Sequence, residues 1–323
     1  MSETTMQDYN ERFQNLADDA PFEQSPVMPT MLDGDTQLQF RCHRGVKCWN
    51  ACCSNIDITL TPYDILRLKN HLGLSSGEFL QSHTVPFEMD KDGTPGVKLR
   101  SVEGGTACQF MVEEGCSVYN DRPTACRYYP VALLSVRRSD EYTDRLSFAK
   151  VTEATCFGHQ EPDTQTIDEY RAAQGATEYD EKGRGWRQLI LKKKSAGPAI
   201  GKPPMISNQL FFMASYDLDR FRAFVISESF NKTYNIPVEE MAELVADDEK
   251  LLAFGDRFLR QVLFNEKSIE EKDGIYEARM ERLKAKALAI KAEFEANRDK
   301  VEDEKYCAPA GQPGDCGCGD GEG

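Results

Sequence analysis

Apolar residues recur at helical spacing in two parts of the chain and lose that rhythm in a third. Thr61-Pro62-Tyr63-Asp64 reads as a helix start. Thr61 can cap, Pro62 suits the first helical position, and Asp64 sits at the positive end of the dipole. Ile65, Leu66, Leu68 and Leu72 then form an apolar face, and Gly73 is a C-terminal stop. A second short helix is expected from Ser76 through Phe79 and Leu80. Val97 to Ser101 alternates like a strand. Gly104-Gly105 should turn it back onto Cys108–Val112, and a further strand pair is expected across Val131–Val136 and Leu146–Val151.

Beyond Thr166 the helical period dominates. Helices are expected from Thr166 to about Gln174 and from Gly185 to Lys194. A turn-rich linker follows from Ser195 to Pro204. Leu218, Phe221, Phe224 and Val225 share a helical face; Pro237 opens another helix, and Leu251 through Leu263 forms a third. From about Ser268 to Lys300 the pattern predicts a long charged helix with a narrow stripe, Ile275, Leu283, Ala287, Ile290 and Phe294. The longest apolar run, Leu210-Phe211-Phe212-Met213-Ala214, is strand-sized and reads as core. It is far short of the ~20 residues that span a bilayer.

These elements predict an α+β, helix-rich fold: an irregular, metal-nucleated cysteine-cluster domain packed on a mainly helical C-terminal region. The expected divisions are a lead-in segment (1–38), a cysteine-cluster metal-binding domain (39–165), a mainly helical region (166–300) and a flexible acidic Cys/Gly tail (301–323). Residues 40–160 are Gly- and Pro-rich with short helices. They bury little apolar surface for their length, so bound metal is expected to supply part of the folding free energy.

Charge narrows the partners. With 54 acidic against 39 basic residues, the formal net charge is −15, which repels phosphate backbones and anionic lipid. No nucleic-acid or membrane partner is expected. The polar, acidic start Met1–Asp8 lacks the basic and apolar regions of a secretory signal, so a cytoplasmic location is expected. In that reducing compartment, 11 cysteines point to metal or redox chemistry rather than to disulfides.

The first thiol group is Cys42-x5-Cys48-x3-Cys52-Cys53. The second is Cys108-x7-Cys116-x9-Cys126, with Cys156 closing the set. Thiolates are soft donors for zinc and iron–sulfur clusters, and one ion or cluster takes four of them. Eight thiols suffice for two such sites, or for one with spares. Adjacent Cys52 and Cys53 are expected to point apart, serving different centres or leaving one to pack. His43 and His159 are alternative ligands, though surface or supporting positions suit them better. Arg122 and Arg127 flank Cys126, where they would either steady thiolates or form salt bridges; Tyr119, Tyr128 and Tyr129 read as packing around the site.

These residues resemble the YkgJ-type cysteine-cluster family, described as a zinc- or iron-chelating CxxCxxCC domain. The resemblance rests on Cys42…Cys48…Cys52-Cys53, on Ile58–Thr61 and Asp64…Arg67-Leu68, and on Cys108-Gln109-Phe110. It continues through Gly115-Cys116-Ser117-Val118-Tyr119, Arg122-Pro123-x-x-Cys126-Arg127, Tyr129-Pro130 and Cys156-Phe157-Gly158. It covers about residues 40–160 and departs from the pattern in the first gap, where five residues rather than two separate Cys42 from Cys48. It implies a metal-binding protein of the bacterial cytosol, with Cys42, Cys48, Cys52, Cys53, Cys108, Cys116, Cys126 and Cys156 as metal ligands and zinc, iron or a 4Fe-4S cluster as the cofactor. Some relatives are flagellin lysine N-methylases. An iron–sulfur-dependent enzyme, whether oxidoreductase or lysine N-methylase-like, is therefore the alternative by analogy. A metallochaperone is a third reading, with the Cys307…Cys316-Gly317-Cys318 tail collecting metal or exchanging it with the core site. Besides the metal ion, a protein partner would engage the C-terminal helix or the tail. P-loop, dinucleotide-binding, nucleophile-elbow and His-Glu-x-x-His signatures are absent from the sequence.

Overall fold

Helix α1 (Pro62–Leu72) forms where its caps predict. In the computed structural model, which describes residues 30–136, 145–153, 156–195 and 204–306, Thr61 and Asp64 make a reciprocal capping box. Gly73 ends the helix at φ 68°, a left-handed conformation that glycine adopts without steric cost. Tyr63, Ile65, Leu66 and Leu68 are buried, and Leu72 packs half-buried against the same core. Helix α2 (Ser76–His83) repeats the device through Ser75 and Glu78.

Among the described residues the strands form four separate antiparallel two-stranded ribbons: β1 (Gln37–Gln39) with β8 (Thr164–Thr166), β2 (Thr84–Glu88) with β3 (Pro95–Leu99), β4 (Met111–Val112) with β5 (Gly115–Cys116), and β6 (Val131–Val136) with β7 (Arg145–Lys150). The β6–β7 pair is the one the alternation predicts. The expected pairing of Val97–Ser101 with Cys108–Val112 is corrected. Strand β3 pairs with β2 in the register Thr84↔Leu99, and the later segment is held to it by a lone bridge, Ser101↔Cys108. The turn at Gly104-Gly105 does form, with Val102 N–H donating to Ala107 O at 2.9 Å. Beyond it, Cys108 N–H donates to Cys53 O at 2.7 Å, and β4 folds back onto β5.

The rest of this unit is helical: α3 (Thr124–Tyr128), α4 (Ile167–Ala173), α5 (Ala176–Ser195), α6 (Met205–Tyr216), α7 (Leu218–Val225), α8 (Glu228–Thr233), α9 (Val238–Ala246) and α10 (Asp248–Phe264). The apolar run 210–214 lies within α6, where Phe211, Met213 and Ala214 are buried. Most of the expected linker, residues 196–203, lies outside the described residues. One hydrophobic cluster draws on both halves of the chain, joining Leu60, Tyr63, Phe79, Val97, Cys108 and Phe110 to Leu189, Phe211, Phe221, Phe254 and Phe258. Each fully buried aromatic contributes roughly 1.5–3 kcal/mol. A smaller cluster joins Leu38, Phe40, Tyr128, Val131, Phe148, Ile167 and Tyr170. Helix α10 approaches α6 so closely at Gly255 that a Cβ there would stand 2.8 Å from Ala214 O.

Helix α11 (Ile275–Tyr306) belongs to a separate unit that begins at Glu271. It matches the long charged helix of the sequence, and its Leu283, Ile290 and Phe294 are exposed. Among the described residues no helix is long and apolar enough to cross a membrane.

Asp256, on α10, is a buried acid between α10 and α5. Its Oδ2 lies 2.1 Å from where a Cβ on Gly185 would be, so the glycine makes its room. Burial pushes its carboxyl up to about 7, against a smaller opposing effect of Arg260. Between the ordinary carboxyl range near ~4 and about 7, the folded chain holds a proton that the unfolded chain has released. This contribution to stability is therefore full below that window and lost as pH rises through it. Asp256→Asn should flatten the fall in melting temperature between pH 4 and 8; an unchanged slope would contradict this.

Candidate metal centre

Three short stretches of chain converge with the β4–β5 hairpin that carries Cys116, each fixed by individual hydrogen bonds rather than by long elements. The first, residues 41–53, ends in a single 3-10 turn, Ala51–Cys53, entered through Asn50 in the left-handed conformation at φ 65°. Asn50 Nδ2 donates to Val112 O at 3.2 Å and Arg44 Nη2 to Glu114 O at 2.7 Å, seating this loop on the β4–β5 hairpin. The Trp49 ring packs over Gly115, and a Cβ there would lie 3.1 Å from it. These contacts bring Cys53 beside Cys108 and Cys116.

The second stretch is the turn at Cys156. Phe157 N–H donates to Cys48 Sγ at 3.2 Å, and Arg41 N–H donates to Gly158 O at 3.1 Å. Gly158 permits this approach. A Cβ there would stand 2.6 Å from the Phe40 ring and 3.0 Å from Arg41 O. The five-residue gap after Cys42 is taken up by a turn, with Val46 N–H on His43 O at 3.0 Å, so Cys42 still reaches Cys156's side of the cluster.

The third stretch carries Cys126 on α3. Asp64 holds it. One carboxylate oxygen accepts from Thr61 N–H at 2.8 Å, and the other accepts from Thr124 N–H at 2.8 Å and Thr124 Oγ1 at 2.7 Å. Arg67, one turn along α1, donates twice to Asp121 at 2.9 and 2.7 Å, and His71 Nδ1 lies 2.8 Å from the same carboxylate. Helix α1 therefore acts as a splint for residues 119–126. The sequence shows Asp64 as a capping residue; its second set of partners lies 60 positions away.

All eight described cysteines are free thiols. Burial, followed by the charges of Cys52, Cys48 and Cys156, pushes Cys42 up to about 11. Burial likewise raises Cys108, Cys116, Cys126 and Cys156. Cys52 moves the other way, to about 7, because Cys53 hydrogen-bonds it, and Cys53 rises correspondingly. Their sulfurs are 4.0 Å apart. The expectation that they point apart is corrected, since both sit in one tight turn. Among the described residues, no three His, Cys, Asp or Glu side chains already stand at the mutual spacing of a completed metal site.

The donor set is nonetheless soft, sulfur-rich and gathered from four segments, which suits zinc or iron. Residues 41–157 match a family model described as "CxxCxxCC: Putative zinc- or iron-chelating domain". Comparison with curated proteins and with solved structures gives no match. The matched residues contain all eight core thiols, whereas Cys307, Cys316 and Cys318 lie outside the described residues.

Around the core thiols the supporting residues divide. Arg122 bonds Tyr119 O and Gln174 Oε1, both at 2.7 Å, and its charge favours the thiolate of Cys116. Arg127 is spent on carbonyls of Arg122, Gln174 and Asn120 and on Tyr179 Oη, so it braces the loop. Tyr128 is buried and bonds Asp180, in keeping with packing, and Tyr119 lies exposed with the Arg122 guanidinium 4.0 Å from its ring centre. Tyr129 is closer to the chemistry than expected, hydrogen-bonded to Cys156 and, at 3.0 Å, to Glu153. His43 bonds Gly45 N–H at 3.1 Å and stands 3.4 Å from Glu161; His159 Nε2 lies 3.1 Å from Val151 O. Both imidazoles have protein partners, as supporting positions would. A polar cleft of about 610 Å³ borders Arg67, His71, Asp121, Asp247, Asp248 and Glu249, and none of the thiols lines it.

Removing the Asp64 carboxylate leaves the Thr61 and Thr124 donors without their acceptor. Asp64→Ala should cost about 2–4 kcal/mol in urea unfolding, and Thr124→Val about 1 kcal/mol. A loss below ~1 kcal/mol for Asp64→Ala would contradict the splint.

Proposed function

We propose that this chain holds zinc or iron through the thiolates of Cys42, Cys48, Cys52, Cys53, Cys108, Cys116, Cys126 and Cys156, and that the bound metal completes the fold of residues 41–157. The observation that carries this reading is the convergence of eight free thiols on loops whose regular structure is slight. Strands of two or three residues and single 3-10 turns cannot bury enough surface to stand alone. Thiolate–metal bonds supply what those elements lack.

Helix α1 and the Asp64 carboxylate would preposition Cys126. The Asn50 turn would present Cys52 and Cys53, and the Gly158 turn would present Cys156. Cys52, already favouring the thiolate, would meet the ion first, with the remaining thiols losing their protons as charge is neutralised. When bound, zinc supplies a cross-link without redox change, whereas a 4Fe-4S cluster would add electron transfer. Free thiols throughout the described part and a net charge of −15 suit a reducing cytoplasm and a metal-ion partner rather than nucleic acid.

Protein purified without oxygen should contain zinc or iron, and its absorption spectrum separates the two: colourless for zinc, charge-transfer bands for an iron–sulfur cluster. Stripping the metal with a chelator should lower stability by at least about 2.7 kcal/mol, the linkage value at a hundredfold excess over Kd. Folded protein containing neither metal would overturn the proposal.

A further inference from the structure

The thiols do not form one even group. Cys53, Cys108 and Cys116 all pack against the larger hydrophobic cluster, while Cys156 packs against the smaller one. Backbone bonds follow the same division. Cys108 N–H donates to Cys53 O, Met111 N–H donates to Cys108 O at 3.1 Å, and Met111 is the register partner of Cys116. On the other side, Phe157 N–H reaches Cys48 Sγ, and the Arg41–Gly158 bond fixes the chain next to Cys42 beside the turn that carries Cys156.

Electrostatic reach agrees. Cys126 feels Cys108 and Cys116, and Cys53 feels Cys108 and Cys126. Cys42 feels Cys48 and Cys156, and Cys156 feels Cys48. Cys52 stands at the junction: it acts on Cys108, Cys116 and Cys126 as well as on Cys42. Its other charged neighbour is Glu153, on the segment that carries Cys156. Cys53 already makes a fourth thiol for the first group, so Cys52 falls to the second.

We propose that the eight thiols serve two adjoining metal centres, Cys53, Cys108, Cys116 and Cys126 at one and Cys42, Cys48, Cys52 and Cys156 at the other, which meet at the Cys52–Cys53 turn. This rests on the chelation reading above and sharpens it. The two centres differ in setting. The first is built on the α1 splint and the β4–β5 hairpin, with Cys108 buried. The second includes the exposed Cys42 and Cys52, so its metal is the one that solvent, a chelator or an acceptor would reach first.

Stepwise removal of metal from the full chain tests this. Aliquots of protein purified without oxygen are treated with increasing chelator and pulsed with N-ethylmaleimide. Labelling of each cysteine is then read by peptide mass spectrometry, alongside the metal content. Cys42, Cys48, Cys52 and Cys156 should become reactive together, on the order of tenfold faster than before. Cys53, Cys108, Cys116 and Cys126 should follow as a second block at higher chelator. Cys116→Ser, as a second readout, should expose the remaining three thiols of its own set and leave Cys42, Cys48 and Cys156 protected. If all eight thiols are released in one step, or if the released set mixes the two groups, the two-centre division is wrong while chelation stands. If the thiols of the untreated protein are unprotected and no metal is present, chelation itself fails.

Discussion

The carboxylate of Asp64 joins two parts of the chain that lie 60 residues apart. Fully buried, it closes the cap of α1 with one oxygen and takes both donors of Thr124 with the other. A buried acid is costly unless its lone pairs are filled, and here three donors fill them. Because the same residue sets the start of α1 and the start of α3, the position of Cys126 is tied to the helix that anchors the larger core. Arg67 and Asp121 repeat the tie one turn further along. The thiol cluster hangs from this splint.

A second constraint is chemical. Eight thiols placed near one another and partly withdrawn from water are poor acids, and burial raises most of them. The exception, Cys52, is lowered by a neighbour in the same turn. The raised thiols hold their protons, and a soft cation would displace them by binding the thiolates. The loops around it are pinned by single hydrogen bonds, backbone to backbone at Cys108 and Gly158 and from the Asn50 side chain at Val112, rather than by extended sheets. In the proposed reading, a bound ion would supply cohesion that the ribbons do not.

Much of this was legible from local chemistry. The Thr61 cap, the Gly73 stop, the β6–β7 pair and the helices at Leu218 and Leu251 follow from signals within a few residues. The eight thiols and the segment that holds them were likewise visible, as was the family that residues 41–157 match. What was not legible depended on distance in sequence. Strand β3 pairs with β2 rather than with the segment after Gly104-Gly105, and the partners of Asp64 lie 60 residues downstream. Arg127 stands next to Cys126 yet turns to carbonyls and Tyr179, a choice that spacing alone cannot reveal. The placing of Cys52 and Cys53 in one tight turn depends on the left-handed Asn50 and gives no periodic signal.

X-ray absorption at the zinc and iron edges, on protein purified without oxygen, tests the central claim most directly because it reads the atoms around the metal. The account predicts a first shell of sulfur alone, near ~2.3 Å for zinc. A shell of nitrogen and oxygen, with sulfur absent, would contradict it.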